Sequence, residues 1–274
     1  MDKIKILVAC HKPAKVYQDE VYTPIQVGKA LHPELDLGFI TDAIGENISA
    51  LNSQYCELTA QYWGWKNLDC EFIGLNHYRR YFDLPHNSKN IEGLFTNFDV
   101  ILASPLYLNS SIFEFWCKAL VPEDVYVAMK LLKKVYPEDY QKGVQFLGNR
   151  VFYPCNMFVC RKNLFNDFAK WQFTYLEELR KRLRISSYSR EARILGFIGE
   201  GLLPLYFLNR NYRIKTFPIV PFPGSREKLL HNSIREKLVL SLKSKIKKPK
   251  IVFDDTLLAG LRYDGILDKN NDII

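Results

Sequence analysis

The sequence lacks the short motifs that mark the commonest nucleotide, metal and hydrolase sites. No GxGxxG, Walker A, HExxH or GxSxG pattern occurs in its 274 residues. This removes the usual support for a dinucleotide-binding, P-loop, zincin or α/β-hydrolase protein. Internal repeats and low-complexity segments are also missing, which excludes solenoid and fibrous architectures. A catalytic site must therefore be sought in clusters of polar residues.

Long apolar runs and paired cysteines are missing as well. The six cysteines form no CxxC pair and lie mostly inside apolar runs, a pattern typical of reduced thiols. No stretch approaches the roughly 18 apolar residues of a membrane-spanning helix. Residues 1–10 have no basic segment followed by a long apolar one, as a secretory signal would. The sequence thus predicts a cytoplasmic protein without a membrane span.

The composition that is present suits a packed globular protein. Hydrophobic residues make up 47% and charged residues 25% of the chain, which excludes a disordered protein. The length fits one large domain or at most two small ones. Aromatic residues reach 14%, and their flat apolar faces suit pockets for sugars and nucleotides.

Short apolar runs alternate with helical patterns along the chain. The runs predict strands at 4–9, 37–40, 71–75, 100–103 and 213–220, and an extended segment at 151–160. The apolar spacing predicts helices at 54–66, 122–135, 164–183 and 197–209. This alternation indicates an α/β domain with a mainly parallel central sheet.

The segment 226–250 differs from the rest of the chain. Its nine Lys/Arg and two Glu give it a net charge of +7, close to the +8 of the whole chain. Ile234, Leu238, Leu242 and Ile246 recur every four residues. The pattern predicts a basic amphipathic helix, which either lies on an anionic membrane surface or docks its apolar stripe on the protein. Nucleic acid is not an expected partner, because the basic residues lack interleaved aromatics.

Polar residues follow several of the predicted strands. His11 and Lys12 follow the first, Asp42 the second, and Asn76–Arg80 the third. Ligands of open α/β sheets bind beyond the carboxyl ends of the strands, so these residues are expected to meet. Arg79 and Arg80 are suited to clamp a diphosphate; the alternative is that both pair with surface acids.

Five blocks of sequence together resemble one family of bacterial enzymes. The blocks are 47–49, 55–67, 74–82, 156–158 and 196–200. They are similar to glycosyltransferases of capsule and exopolysaccharide loci, a family long described as a domain of unknown function. The resemblance runs from residue 4 to about residue 221 and implies a GT-A-like (Rossmann-like) domain in 1–224, followed by the basic extension 225–274.

The resemblance also implies an activity. We expect inverting transfer of a hexose from a UDP-sugar to a polyprenyl-diphosphate-linked or oligosaccharide acceptor, at the inner face of the plasma membrane. Some members look like galactofuranosyltransferases, so galactofuranose is the expected sugar. A UDP-galactopyranose or UDP-glucose donor is the alternative, and a non-catalytic sugar-nucleotide-binding protein is a further one.

The family's HYRR segment stands where many GT-A enzymes carry an Asp-x-Asp metal motif. Here it is His77–Arg80, whose cationic side chains would neutralise the leaving UDP. Metal independence is therefore favoured over Mn²⁺ or Mg²⁺, with Asp42 and Asp99 as fallback ligands. The residues expected to bind the donor are His11, Lys12, Asp42, Asn47, Asn52, His77, Tyr78, Arg79 and Arg80, although loop Asp and Asn residues also commonly form turns and caps.

Glu200 is the candidate catalytic base. It follows a Gly-Phe-Ile-Gly run, where Gly199 would let a substrate approach the backbone closely; the alternative is that Glu200 only complements a helix dipole. Asn156 and Met157 lie in an otherwise apolar run and are expected to contact the sugar or the acceptor. A buried amide must be hydrogen-bonded, so a bond from Asn156 to backbone is the alternative.

Overall fold

A computed structural model describes residues 2–84, 88–222, 235, 238–239, 242, 251 and 254–274. Its strands are β1 (Asp2–Cys10), β2 (Tyr22–Gln26), β3 (Ile40–Thr41), β4 (Cys70–His77), β5 (Arg80–Phe82), β6 (Val100–Ala103), β7 (Leu106–Tyr107), β8 (Val151–Phe152), β9 (Phe158–Arg161), β10 (Ile214–Phe217) and β11 (Ile219–Pro221). Its α-helices are α1 (Asn52–Tyr55), α2 (Leu58–Asn67), α3 (Ser88–Leu94), α4 (Ile112–Ala119), α5 (Pro122–Val135), α6 (Pro137–Leu147), α7 (Lys162–Arg180), α8 (Ile194–Leu208) and α9 (Asp255–Tyr263).

The main sheet has the strand order β10-β6-β9-β4-β1-β2-β3, with β5 paired to β4 and β11 paired to β5. The pairs β10/β6, β4/β1, β1/β2 and β2/β3 are parallel, and β9 runs antiparallel to both of its neighbours. Residues 6–10 of central β1 are all apolar and buried, as expected for a strand that is covered on both faces. The predicted α/β fold with a mainly parallel sheet is confirmed.

Aromatic packing covers each face of the sheet. On one face Phe158 of β9 contacts Phe165 and Phe168 of α7, at ring-centroid distances of 5.5 and 5.4 Å. On the other face Phe72 of β4 stacks on Phe95, which follows α3, at 4.6 Å. Burial of such rings supplies most of the apolar stabilisation of a three-layer α/β structure.

The second strand differs from the prediction. β2 begins at Tyr22, and only Ile40 of the predicted strand 37–40 is in a strand. β2 was not predicted because it contains Pro24, and a proline usually argues against a strand. β3 pairs only with Ile25 and Gln26, so Pro24 lies beyond that ladder and its missing N–H costs no bond to β3.

The predicted helix 54–66 is interrupted. α1 ends before Cys56, whose φ is 52°, and Glu57 is the N-cap residue of α2, which begins at Leu58. The side-chain amide of Asn52 holds this break by donating to the Cys56 carbonyl at 2.8 Å and to Thr59 Oγ1 at 3.0 Å. A left-handed backbone at a non-glycine residue is costly, so the break depends on these contacts.

The prediction of one extended segment at 151–160 is wrong in its centre. β8 ends at Phe152 and β9 begins at Phe158, so Asn156 and Met157 lie in the turn before β9. Cys155 there has a φ of 66°. This turn changes the direction of the chain, which places residues 155–157 at an end of the sheet.

The chain divides into two compact units. The first comprises Met1–Pro105, Tyr153–Phe173 and Leu195–Leu230 and contains the main sheet. The second comprises Leu106–Phe152, Thr174–Ile194 and His231–Ile274, and contains the β7/β8 pair, α4 to α6 and α9. The predicted division into 1–224 and 225–274 stays a prediction.

The predicted basic helix at 226–250 falls mostly outside the described residues. The described members Leu238, Val239 and Leu242 are helical, with 63%, 44% and 59% of their surface exposed. Within the part of the chain that the structure describes, no helix is both long and apolar enough to cross a membrane.

Candidate active site

Three segments meet at the carboxyl edge of the central strands. β1 and β4 are parallel, with Ala9 opposite His77, so the two strands end together, with His77 as the last residue of β4 and His11 directly after β1. Antiparallel β9 begins at this same edge, with Phe158 opposite Leu75. The loop after β1, the turn after β4 and the turn before β9 therefore converge, as the position of strand ends requires.

Three of the predicted donor-binding residues, His11, His77 and Arg79, pack against the ring of Tyr78. His11 packs edge-on against it at 5.4 Å, and His77 stacks on it at 4.7 Å. The Arg79 guanidinium lies 5.1 Å from the ring centre, within cation–π distance. Lys12 follows His11 and is exposed. The structure thus brings His11, His77, Tyr78 and Arg79 together, whereas Lys12 is placed near them only by its position in the chain.

Cys155 connects a cation and a carboxylate. An Arg80 Nη1–H donates to Cys155 Sγ at 3.3 Å, and the Cys155 backbone N–H donates to Glu200 Oε1 at 2.6 Å. Burial, followed by the Glu200 charge, raises the pKa of the Cys155 thiol to about 12, and the Arg80 charge opposes this rise. Cys155 is therefore a neutral thiol near pH 7, which holds its neighbours and is not a nucleophile.

Asn156 positions a second carboxylate. Its Nδ2 donates to Glu57 Oε1 at 2.9 Å and to the Gly196 carbonyl at 3.1 Å. The side chain is buried, at 3% exposure. Glu57 was not among the predicted site residues; its place inside the 55–67 block that carries the family resemblance was the available signal. Glu57 and Glu200 therefore both accept hydrogen bonds from the turn before β9.

Gly199 allows close packing behind Glu200. A Cβ at this position would lie 2.6 Å from Leu58 Cδ1 and 3.3 Å from Gln172 Nε2. Gln172 Nε2 donates to the Gly199 carbonyl at 3.3 Å and accepts at Oε1 from Gln61. Gly199 thus serves contact between helices α2, α7 and α8, and no substrate contact is needed to explain it.

Met157 is buried with 1% exposure in the apolar cluster on the β1 and β4 face. This cluster includes Val8 and Tyr78 among its members. The placement favours core packing over the predicted contact with sugar or acceptor.

Asp42 is held by the fold itself. Its carboxylate accepts hydrogen bonds from the Gly28 N–H at 2.8 Å, the Lys29 N–H at 3.2 Å and Ser49 Oγ at 2.5 Å. The side chain is fully buried. These bonds fix the loop after β2, so the structure favours a turn role over the predicted contact with the donor.

Asn47 and Asn52 also bond within the protein. Asn47 Nδ2 donates to the carbonyls of Ala43 and Gly45, and Asn52 stabilises the break between α1 and α2. Their interactions match the turn-and-cap alternative for loop asparagines.

Asp99 lies away from this site. It precedes β6 and binds Arg213, which precedes parallel β10, with Arg213 Nη2 2.7 Å from Asp99 Oδ1. The Arg213 bond lowers the pKa of Asp99. Both residues stand at the amino ends of their strands, opposite the Arg80 edge, so Asp99 cannot join Asp42 as a metal ligand. Within the described ranges no three His, Cys, Asp or Glu side chains cluster as a metal site.

Two buried polar side chains at the end of β4 lack partners. Among the described residues, neither amide atom of Asn76 nor the hydroxyl of Tyr78 has a hydrogen-bond partner, and the same holds for Asn156 Oδ1. Asn76 and Tyr78 are 1% and 2% exposed. Because buried polar groups are normally hydrogen-bonded, these atoms mark positions that water or ligand atoms would complete. Asn76 was not predicted; a lone amide in an apolar strand was its signal.

The fold and the site define a GT-A-like α/β protein, and comparison with known proteins agrees. The chain belongs to the family described as "Domain of unknown function (DUF4422)", whose profile matches residues 5–211. It is similar to the apo structure of WbbM, a bifunctional glycosyltransferase, with a TM-score of 0.74 and 25% identity over 85% of this chain. The chain covers 47% of that protein, about half of its length. No curated protein matches.

Proposed function

We propose that this protein is a glycosyltransferase that moves a hexose from a UDP-sugar to a glycan acceptor with inversion at the anomeric carbon. The observation that carries the proposal is the placement of Arg80 and Glu200 on the two sides of Cys155. Cys155 thereby holds the Arg80 guanidinium, which suits a leaving diphosphate, near the Glu200 carboxylate, which suits a proton transfer. Similarity to the glycosyltransferase WbbM supports the same class.

The cationic residues would stabilise the leaving group. As the bond between the sugar carbon C1 and the diphosphate oxygen breaks, its electron pair moves to that oxygen. Arg79 and Arg80 would bind the developing charge, since guanidinium groups pair with phosphate oxygens bidentately. His77 and His11 flank them. This supports transfer that needs no divalent cation, and Mn²⁺ or Mg²⁺ dependence is the alternative outcome.

Glu200 would act as the general base. Its Oε1 accepts from the Cys155 N–H, which orients the carboxylate, and the carboxylate would accept the proton of the acceptor hydroxyl. The acceptor oxygen then forms its bond to C1 on the face opposite the diphosphate, through an oxocarbenium-like state. Glu57, fixed by Asn156, would accept hydrogen bonds from sugar hydroxyls. Asn76, Tyr78 and Asn156 Oδ1 would complete their own hydrogen bonds with the ligand or its water.

The expected donor is UDP-galactofuranose and the expected acceptor is a polyprenyl-diphosphate-linked glycan of capsule, exopolysaccharide or O-antigen synthesis. Both expectations rest on the family resemblance. UDP-galactopyranose and UDP-glucose are the alternative donors. A sugar-nucleotide-binding protein without turnover is the alternative from another class.

A thermal-shift screen with UDP, GDP, CMP and their sugar conjugates tests the proposal. A ligand that binds the native state raises the melting temperature, so we expect selective stabilisation by UDP and UDP-sugars, unchanged by a chelator. Stabilised samples are then assayed for release of UDP with and without glycan acceptors. Binding without any hydrolysis or transfer would favour the non-catalytic alternative, and no shift with any nucleotide would contradict the proposal.

The segment 226–250 would bring the enzyme to a lipid-borne acceptor. Its charge of +7 and the exposure of Leu238 and Leu242 suit an anionic membrane surface, where each Lys or Arg contributes about 1 kcal/mol. Sedimentation with vesicles of phosphatidylglycerol, compared with phosphatidylcholine, tests this. A full-length variant with the nine basic residues changed to glutamine should lose binding; equal binding would remove the membrane role.

A further inference from the structure

The first unit contains a cavity of about 210 Å³ that shares no lining residue with the Arg80 and Glu200 cluster. It lies between the loop after β1, the start of β2, β5, α3 and β11. The residues that decide its chemistry are Tyr17, Asp19, Tyr22, Tyr81, Asp83 and Phe222.

Aromatic rings form its wall and are fixed in place. Tyr22 meets Tyr17 at 5.6 Å and Tyr81 at 5.3 Å, both edge to face, and Tyr81 meets Phe222 at 5.5 Å. The Tyr81 hydroxyl accepts from the Tyr17 N–H at 3.0 Å. Because the rings hold each other, the cavity presents a preformed apolar surface.

The polar groups of the cavity are acidic. The Asp19 carboxylate accepts from the N–H groups of Val21 and Tyr22 and from the Tyr17 hydroxyl, so its role is to shape the loop. Asp83 is exposed, and no described residue hydrogen-bonds its carboxylate. The described lining residues include no Lys, Arg or His. The cavity therefore disfavours phosphates and other anions, and offers Asp83 to hydroxyl donors.

The same β-ribbon builds the cavity and the arginine turn. β5 and β11 pair with Arg80 opposite Pro221, and the Phe222 N–H donates to the Arg79 carbonyl at 3.0 Å. A ligand in the cavity thus lies on the ribbon that also carries the residues assigned to the leaving diphosphate.

We infer that this cavity binds a neutral sugar unit of the acceptor glycan. The inference rests on the proposed function. The apolar face of a sugar ring packs on tyrosine and phenylalanine rings, and its hydroxyls donate to Asp83 and exchange hydrogen bonds with tyrosine hydroxyls. A nucleotide would bring its phosphates against Asp19 and Asp83, and a polyprenyl diphosphate would do the same.

Saturation-transfer NMR on the full-length protein tests the inference. The probes are the methyl glycosides of galactofuranose, galactopyranose, glucose, mannose and N-acetylglucosamine. Val220 lines the cavity and is 38% exposed, so Val220→Trp fills the space from its edge. Ile44→Trp is the matched control, because Ile44 is 62% exposed and does not line the cavity. We expect transfer to at least one glycoside, at least tenfold weaker in Val220→Trp, several-fold weaker in Asp83→Ala, and unchanged in Ile44→Trp.

Four results would overturn the inference: no transfer to any glycoside, equal transfer in Val220→Trp, displacement of the glycoside by UDP, or displacement by choline, which would assign the rings to a cation. Failure of the proposed function is distinguishable. Wild-type protein would then lack a UDP-induced thermal shift, or would show that shift without hydrolysis or transfer, whatever the result with the glycosides. When both hold, Val220→Trp retains that shift and its release of UDP in water, and loses transfer to the glycan.

Discussion

Two polar regions at the carboxyl edge of the sheet differ in how their hydrogen bonds are completed. Around Asp42 the carboxylate receives three hydrogen bonds from the protein, and Asn47 and Asn52 bond to nearby backbone. Around Tyr78 and Asn156, buried polar atoms remain without partners in the described structure. The strand-end rule selected residues from both regions, so position at the edge does not separate them.

The completed hydrogen bonds do separate them. A buried carboxylate that is fully bonded stabilises a loop, and using it for a ligand would break those bonds at a cost of about 1–3 kcal/mol. For a buried polar group without a partner, ligand binding breaks no bond within the protein, because the ligand atom supplies the missing partner. The unsatisfied atoms therefore favour the region of Arg80, Asn156 and Glu200 as the ligand site that we propose, and the bonds of the Asp42 region favour a structural role there.

The largest expected effect is on Glu200. Glu200→Gln keeps an acceptor for the Cys155 N–H but removes the proton acceptor, so transfer should fall about 10²- to 10⁴-fold while UDP binding is retained. Rates of UDP release and thermal shifts measure the two quantities. Glu178→Gln is the control, because Glu178 pairs with Lys181 and Arg182 in the second unit and not with the Arg80 cluster of the first. Near-normal turnover of Glu200→Gln would remove it from the mechanism.

Arg80→Ala should weaken binding of UDP-sugars. A hydrogen bond to a charged group contributes about 1.5–3 kcal/mol, which corresponds to roughly a 10- to 150-fold rise in Kd, measured by calorimetry. Arg80→Lys should recover only part of this, since lysine lacks the planar fork. Arg161→Ala is the control at the opposite edge, where Arg161 pairs with Glu71. Equal losses in both alanine variants would show that general charge, not this site, attracts the donor.

Asp42→Asn should lower stability and leave the affinity for UDP unchanged. Its amide would point an N–H at one of the donors that now share the carboxylate, so the free energy of unfolding should fall by about 1–3 kcal/mol. Urea denaturation followed by UDP titration of the folded protein measures both. Normal stability with lost UDP binding would reverse the assignment and return Asp42 to the donor site.

The smallest effect concerns Asp99, a satisfied ion pair on the surface. Arg213 holds the pKa of Asp99 below its usual range, so the pair stabilises the fold above the unfolded-state pKa of about 3.9 and loses this contribution as pH falls through the lower folded-state value. Asp99→Asn should cost less than about 1 kcal/mol at pH 7. The difference in unfolding free energy between variant and wild type should vanish in acid, and urea unfolding at neutral and acid pH measures it. A difference that grows in acid would contradict this pH dependence.

Local sequence patterns predicted the helices and strands whose first and last residues are marked by the sequence itself. The structure places β6 at Val100–Ala103 and α5 at Pro122–Val135, the ranges predicted from an apolar run and from a proline followed by acids. α4 was missed although Ser111 and Glu114 form its capping box, a pattern that the sequence does display. The break at Cys56 has no such signal, because its left-handed φ depends on bonds from Asn52.

The site was predictable only in part for a similar reason. His11 and His77–Arg80 follow strands, so topology alone brings them together. Glu57 meets Asn156 across 99 positions of sequence, and nothing local indicates that contact. Asn156 was found as a lone amide in an apolar run, but its place in a turn rather than a strand, beside a Cys155 at φ 66°, required the folded chain.

Contacts between α5 and the last residues of the chain determine how the protein can be truncated. The Tyr126 hydroxyl accepts from the Asp254 N–H at 2.7 Å, and Lys133 Nζ lies 2.6 Å from Asp272 Oδ1, so α5 receives partners from the last residues of the chain. A clone that stops after residue 224 deletes those partners together with the basic segment. A loss of vesicle binding in such a truncation would not distinguish damage to α5 from loss of the basic segment. Charge should therefore be removed from 226–250 by substitution and not by a stop codon.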